Sequence, residues 1–407
     1  MHTLPYYFRK TTLSRFRARR LVKESAQKYY QEALKSFIRY IMRLYWHNLF
    51  RRLQGDQGAG PSPGPVLCAS AAVLARLYGL GARGRRALYA RGLRTARHLP
   101  ARVVSVGNLT VGGAGKTPVV ALLARLWRDR GMRVAILSRG YGGQSRGVTC
   151  ISDGQNTYRT PPEVGEEPYW LARTLPGVAV YTGACRYAAG LAAWEEFKPD
   201  LFLLDDGFQH FQLHRDLDLV LLDAASPFGN GQLLPRGPLR EPLTSLAAAQ
   251  SLILTRFDRE RHQAQFATIH RAFPDKPLLT ATIRPLSVTA YPGGQAEAPA
   301  ALRHRPLMAF AGLARPEVFA ATLQELGVDL KGFRIFPDHH AFSHEDLANL
   351  TEAARALGAG ALVTTGKDWA RLGERWDGGV LLWVLEVEAR LGEPEQVLEL
   401  LDRSVQG

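Results

Sequence analysis

The sequence predicts an α/β fold, a mostly parallel sheet with helices on both faces, and three observations carry that expectation. Short apolar runs recur at 103–106, 134–137, 201–204, 217–222 and 252–255. They read as strands buried on both faces of a parallel sheet. Helix-length stretches separate them, beginning with 116–130, in the βα alternation that joins parallel strands by crossover. A glycine-rich segment links the first run to the first helix. Further along, polar and apolar residues alternate over 279–291, which predicts an antiparallel connector. A second, smaller α/β unit begins at Pro306 and ends in a helix after Pro394.

The 407 residues are 46% hydrophobic and 22% charged, which excludes wholesale disorder and collagen-like repeats. Cys68, Cys150 and Cys185 are too few and too scattered for a disulfide framework or a paired-cysteine zinc site. The net charge of +15 is unevenly placed, because residues 1–100 hold 20 Lys and Arg against 3 Asp and Glu. The body is nearly neutral, so the basic end suits an anionic membrane face at least as well as RNA. A nucleic-acid-binding arm is the lesser reading, and no nucleic acid is expected as a partner.

Residues 1–60 are a basic extension, read either as an amphipathic helix over about 21–53 or as a disordered tail. They lack the apolar stretch and cleavage site of a signal peptide. Residues 61–100 follow a Gly- and Pro-rich linker with an apolar run that Arg76 interrupts, short of the roughly 20 apolar residues a bilayer span needs. With Arg83, Arg85, Arg86, Arg91 and Arg94 behind it, this segment reads as a helix lying in a membrane interface, its arginines reaching anionic headgroups. An ordinary amphipathic packing helix is the alternative. The remainder divides into the domain that carries the glycine-rich segment (101–280), the connector (281–302) and the C-terminal α/β domain (303–407).

The strongest chemical signal is the segment 105–118, where a strand feeds a loop ending in Gly112-Gly113-Ala114-Gly115-Lys116-Thr117 and then a helix. This is the P-loop arrangement: backbone N–H groups curl around phosphate, Lys116 reaches the β/γ-phosphates of ATP, and Thr117 binds Mg²⁺. The strict pattern wants glycine where this chain has Thr110. Asp205 and Asp206 stand just past an apolar strand, where an acid beside the Mg²⁺ belongs; capping the following turn is their other reading.

These motifs together resemble the tetraacyldisaccharide 4'-kinase family. Ser138-Arg139-Gly140-Tyr141-Gly142-Gly143, Val164-Gly165-Glu166-Glu167-Pro168 and Asp205-Asp206-Gly207-Phe208-Gln209-His210 carry the resemblance. So do Gly237-Pro238-Leu239-Arg240-Glu241, Phe336-Pro337-Asp338-His339-His340 and Thr364-Thr365-Gly366-Lys367-Asp368. It runs in order from about residue 65 to the C-terminus. It implies ATP- and Mg²⁺-dependent phosphorylation of the 4'-hydroxyl of a tetraacylated disaccharide 1-phosphate, a step in lipid A biosynthesis. The implied location is the cytoplasmic face of the bacterial inner membrane, with the glycolipid and the lipid surface as partners and no obligate protein partner.

The resemblance also assigns the proton acceptor to Glu166 acting with His339, where the family usually has Asp at the first position. Either Glu166 serves with a compensating backbone shift, or Glu167 takes a larger share. His339 comes from the second domain, so closure on ATP is expected to bring it to Glu166. Arg139, Arg186 and Arg240 are candidates to hold phosphates through their guanidinium forks. Tyr141, Glu167, His210 and Glu241 are further substrate or phosphate candidates. Gly366 stands where the family commonly has Glu, so no role carries over there. A membrane-associated nucleotide-switch ATPase is the competing class, although 365–368 has the residues of a guanine-reading motif in the wrong order.

Overall fold

A computed structural model of the chain describes residues 65–373, 376 and 379–403. The expected extension 1–60 and its helix over 21–53 lie outside the described residues. Within these limits, 65–76 and 234–237 group into one compact unit and the remainder into another. The larger unit is built on a thirteen-stranded sheet.

Its first strands are β1 (Arg102–Asn108), β2 (Val134–Ser138), β3 (Thr149–Ser152), β4 (Ala179–Thr182), β5 (Leu201–Asp205), β6 (Leu217–Asp223) and β7 (Ser251–Thr255). They are followed by β8 (Leu278–Tyr291), β9 (Ala296–Glu297), β10 (Pro306–Ala311), β11 (Asp329–Ile335), β12 (Ala361–Thr365) and β13 (Leu381–Leu391). The spatial order is β11-β10-β12-β13-β8-β7-β6-β1-β5-β2-β4-β3, with β9 beside β8. Among the described strands, pairing is antiparallel only for β13 with β8, β3 with β4, and β9 with β8. The fold is therefore the α/β architecture that the apolar runs predict, and β2, β5, β6 and β7 are buried along their whole length.

Within 281–302, residues 281–291 belong to β8 and 296–297 to β9, so much of the expected connector is strand of the main sheet. There β8 pairs parallel with β7 at its start and antiparallel with β13 over most of its length. The polar–apolar alternation of β8 thus belongs to a strand internal to the sheet.

The helix Lys116–Arg128 packs on β1 because its apolar residues recur at helical spacing. Val119, Val120, Leu123, Ala124 and Trp127 are fully buried. Burying each large side chain is worth about 1.5–3 kcal/mol, and this anchors the loop that precedes the helix. Arg76 lies inside the helix Pro65–Ala90. No helix among the described residues is long and apolar enough to cross a membrane. Arg86, expected among the headgroup-facing arginines, instead pairs with Glu241 and lies over the rings of Phe208 and Phe211.

Candidate active site

The parallel strands put their carboxyl ends on one edge, where functional side chains of such sheets collect. The glycine loop leaves β1 there and enters the helix Lys116–Arg128 at Gly115, with no side chain capping the helix start. Lys116 Nζ is held 3.1 Å from Asn108 Oδ1 and 3.5 Å from Asp206 Oδ1. Asn108 is fully buried and donates to Thr110 O at 2.8 Å, so the lysine's perch is built from the end of β1 itself.

Asp205 closes β5 on one side of β1. Its Oδ2 accepts from Ser138 Oγ at 3.1 Å, while its Oδ1 is buried with no hydrogen-bond partner. Burial pushes the Asp205 carboxyl up to about 6, with the Glu167 and Asp206 charges adding to the rise. Asp206 adopts the left-handed conformation, φ 54°, which few non-glycine residues take. Arg240 Nη1 donates to its Oδ2 at 2.8 Å. Burial alone would raise the Asp206 carboxyl, but Lys116 and Arg240 outweigh it and hold it below the usual range.

An orphaned acceptor on Asp205, the adjacent Asp206 and the hydroxyl of Thr117 make an oxygen donor set that suits Mg²⁺. That ion is commonly held by one or two carboxylates together with the phosphates of its nucleotide. A dedicated cage is not needed, in keeping with the lack of a three-residue His, Cys, Asp or Glu cluster among the described residues.

The helix Glu166–Thr174 supplies two acids from its first turn. Gly165 precedes it at φ 90°, and a Cβ there would overlap the Tyr141 carbonyl, so only glycine allows this entry. Glu166 Oε2 lies 3.0 Å from His339 Nδ1 and 2.7 Å from Arg371 Nε. Burial would raise the Glu166 carboxyl, but His339 and Arg371 outweigh it and the carboxyl sits below its usual range. The same hydrogen bond raises the His339 imidazole above its ordinary 6.5, against the pull of burial. His339 and Glu166 are in contact in this conformation. Glu167 accepts from Thr117 Oγ1 at 3.2 Å and pairs with Lys367. The Lys367 ammonium holds the Glu167 carboxyl down at about 2, against burial. Two adjacent acids are thereby divided: one faces the imidazole, the other the P-loop threonine.

The remaining expected residues fall in different surroundings. Tyr141 is exposed, its ring edge-on to His339 at 6.1 Å between centroids, and Arg139, just past β2, is exposed as well. Arg186 is buried and bonds the carbonyls of Gly183 and Ala184. Burial, reinforced by Arg186 and other arginines, drives the His210 imidazole down to about 4, so it is neutral at pH 7. Glu241 is buried against Arg86, whose Nε donates to it at 3.1 Å.

Sequence reasoning missed Arg371, which has no motif of its own and reaches Glu166 from the short helix Gly366–Leu372. It also missed a cluster at the ends of β6 and β7. There Asp223 Oδ2 pairs with Arg256 and lies 2.6 Å from Arg315 Nη1, and Arg256 Nη1 donates to the P-loop carbonyl of Gly113 at 2.8 Å. The strand-end position of Asp223 and Arg256 was the available signal; Arg315 offered none.

The lysine-bearing loop and strand-end acids on this sheet define the P-loop class of proteins. A family model described as tetraacyldisaccharide-1-P 4'-kinase matches residues 68–406, and the chain belongs to that family. It is 43% identical over 339 residues to the tetraacyldisaccharide 4'-kinase of Geobacter metallireducens, covering 83% of this chain and 98% of that one. The Geobacter sulfurreducens protein of the same name is 41% identical, covering 87% and 98%. A crystal structure of LpxK from Aquifex aeolicus in complex with ATP is similar with a TM-score of 0.67 and 34% identity, covering 81% of this chain and 97% of that chain.

Proposed function

We propose that this chain transfers the γ-phosphoryl group of ATP to the 4'-hydroxyl of a tetraacyldisaccharide 1-phosphate, a step of lipid A biosynthesis. The observation that carries the reading is the Glu166–His339 contact of 3.0 Å, tied through the neighbouring Glu167 to the P-loop threonine. Phosphoryl transfer asks a protein chiefly for alignment, charge neutralisation and a proton acceptor. Lys116 and the backbone N–H groups at the start of its helix take the β/γ-phosphates. Arg240, half-buried beside Asp206, neutralises charge as the bridging bond weakens. Glu166 accepts the proton of the attacking hydroxyl, with His339 and Arg371 fixing its orientation and sharing the charge. The hydroxyl oxygen bonds to the γ-phosphorus, the bond to the β-phosphate oxygen breaks, and ADP leaves. Thr117, Asp205 and Asp206 are the residues that would hold Mg²⁺, which when bound supplies further charge neutralisation at the phosphates.

The proposed site of action is the cytoplasmic face of the inner membrane. Val73, Leu74, Leu77 and Leu80 of the helix Pro65–Ala90 are 54–62% exposed, a run of apolar side chains suited to a lipid surface. Arg186 and Arg139 remain candidates for the sugar phosphate, and Tyr141 for the sugar. The parts 101–280 and 303–407 are proposed as nucleotide-binding and C-terminal domains.

Incubation with γ-labelled ATP, Mg²⁺ and the tetraacyldisaccharide 1-phosphate in detergent tests this reading. Label on the lipid is expected; label on free phosphate alone returns the chain to the switch-ATPase class, which has no use for the Glu166–His339 pair.

A further inference from the structure

Gly366 opens the helix Gly366–Leu372 and is buried. A Cβ built there would lie 2.5 Å from Glu386 Cδ and closer still to both carboxylate oxygens. The space a side chain at 366 would fill is therefore taken by a carboxylate arriving from β13. The register of β13 against β8 shifts between Glu386 and Val387, an irregularity of the kind that re-aims a strand side chain. Glu386 Oε2 accepts from Trp170 Nε1 at 2.9 Å.

Those two contacts lie on the two helices that matter to the proposed proton acceptor. Trp170 belongs to the helix Glu166–Thr174, one turn beyond Glu166 and Glu167. Gly366 is next to Lys367, which pairs with Glu167, and one turn before Arg371, which pairs with Glu166. Both ion pairs cross between these helices. Their separation decides whether a charge sits within about 3 Å of its partner or drifts, and a misplacement of roughly 1 Å at a reacting group can cost on the order of 10²-fold in rate.

We propose that Glu386 is a positioning residue: wedged between Gly366 and Trp170, it sets the spacing of the helices that present Glu166 and Glu167 to Arg371 and Lys367. The inference rests on the reading of Glu166 as proton acceptor. The wedge acts through its volume and the hydrogen bond to Trp170. A side chain at 366 would displace the Glu386 carboxylate from this place.

Four variants test it: Glu386→Gln, Glu386→Ala, Gly366→Ala and the double variant G366A/E386A, with Glu166→Gln alongside. Each is measured for kcat, KM for ATP, the pH profile of kcat and thermal midpoint. Glu386→Gln keeps volume and acceptor and is expected to retain kcat within threefold. Glu386→Ala and Gly366→Ala should lower kcat at least tenfold with ATP KM within twofold, and should shift the acid limb of the profile as Glu166 and His339 loosen. In the double variant the new methyl enters the vacated place, so kcat should recover at least fivefold over Gly366→Ala. A double variant no better than Gly366→Ala overturns the wedge, as does Glu386→Ala with unchanged kcat or with its loss confined to ATP KM. If Gly366→Ala fails to fold, Glu386→Ala against Glu386→Gln decides alone. Normal turnover in Glu166→Gln instead removes the proton-acceptor reading; normal turnover in Glu386→Ala beside a dead Glu166→Gln removes only the wedge.

Discussion

Asp205 and Asp223 occupy matching places. Each ends a parallel strand next to β1, each is buried, and each stands at the carboxyl edge of the sheet beside the glycine loop. Their partners differ completely. Asp205 has one hydroxyl donor and a bare, buried oxygen. Asp223 is clasped by two guanidiniums on Oδ2 and accepts from Ala225 N on Oδ1. Position on the sheet thus does not separate the proposed Mg²⁺ ligand from an acid spent within the fold; unspent acceptor capacity does. A carboxylate left short of partners in a dry site is costly to the fold, and the place where that cost is tolerated is where a ligand completes the set.

The largest expected effect falls on the open side of that contrast. Lys116→Ala should lower kcat/KM by about 10³-fold, the scale of losing one preorganised charge contact in a transition state, read by label transfer to lipid. Glu166→Gln should lower kcat by about 10²–10⁴-fold with ATP KM little changed, since only the proton acceptor is lost. The two acids are then compared directly. Asp205→Asn should abolish most turnover while leaving the thermal midpoint unchanged or higher, because a desolvated charge is removed. Asp223→Ala should instead strand two arginines and destabilise the fold by about 3 kcal/mol, read by denaturant unfolding. If Asp205→Asn proved the more destabilising of the two, the distinction between open and saturated acid would be wrong.

The smallest effect is in pH. The Glu166 hydrogen bond raises His339 above 6.5, so the imidazole must lose a proton before the pair can accept one. The acid limb of kcat should therefore fall above pH 6.5, and His339→Asn should erase it. By linkage the contact's contribution to stability is fully present below 6.5 and is lost as pH rises through the raised value. A limb at or below 6.5 would separate His339 from the proton path.

Much of this edge could be read from the chain, because its parts are local. The loop 112–117, the acids at 205 and 206 and the helix start at 166 each announce themselves within a few residues of a strand or a glycine. What stayed hidden depends on pairings across the fold. Arg315 meets a carboxylate 92 positions away, and Glu386 meets Trp170 216 positions away. No periodicity encodes such contacts; topology creates them. Glu241 is also paired across the fold, its carboxylate meeting Arg86 of the helix Pro65–Ala90, 155 positions away. The contact of His339 with Glu166 spans 173 positions, a pairing of the same long-range kind.

The last strand, β13, pairs with β12 on one side and β8 on the other, and this gives the order of synthesis a meaning. Strands β1 to β7 can pair on the ribosome as they emerge, whereas β10, β11 and β12 have no strand pairing to that earlier sheet until residue 391 is free. A nascent chain halted before that point would carry two unpaired strand edges, the templates on which polypeptides aggregate. Translation stalls after β12 and before residue 391 should therefore send this protein to chaperones and proteases.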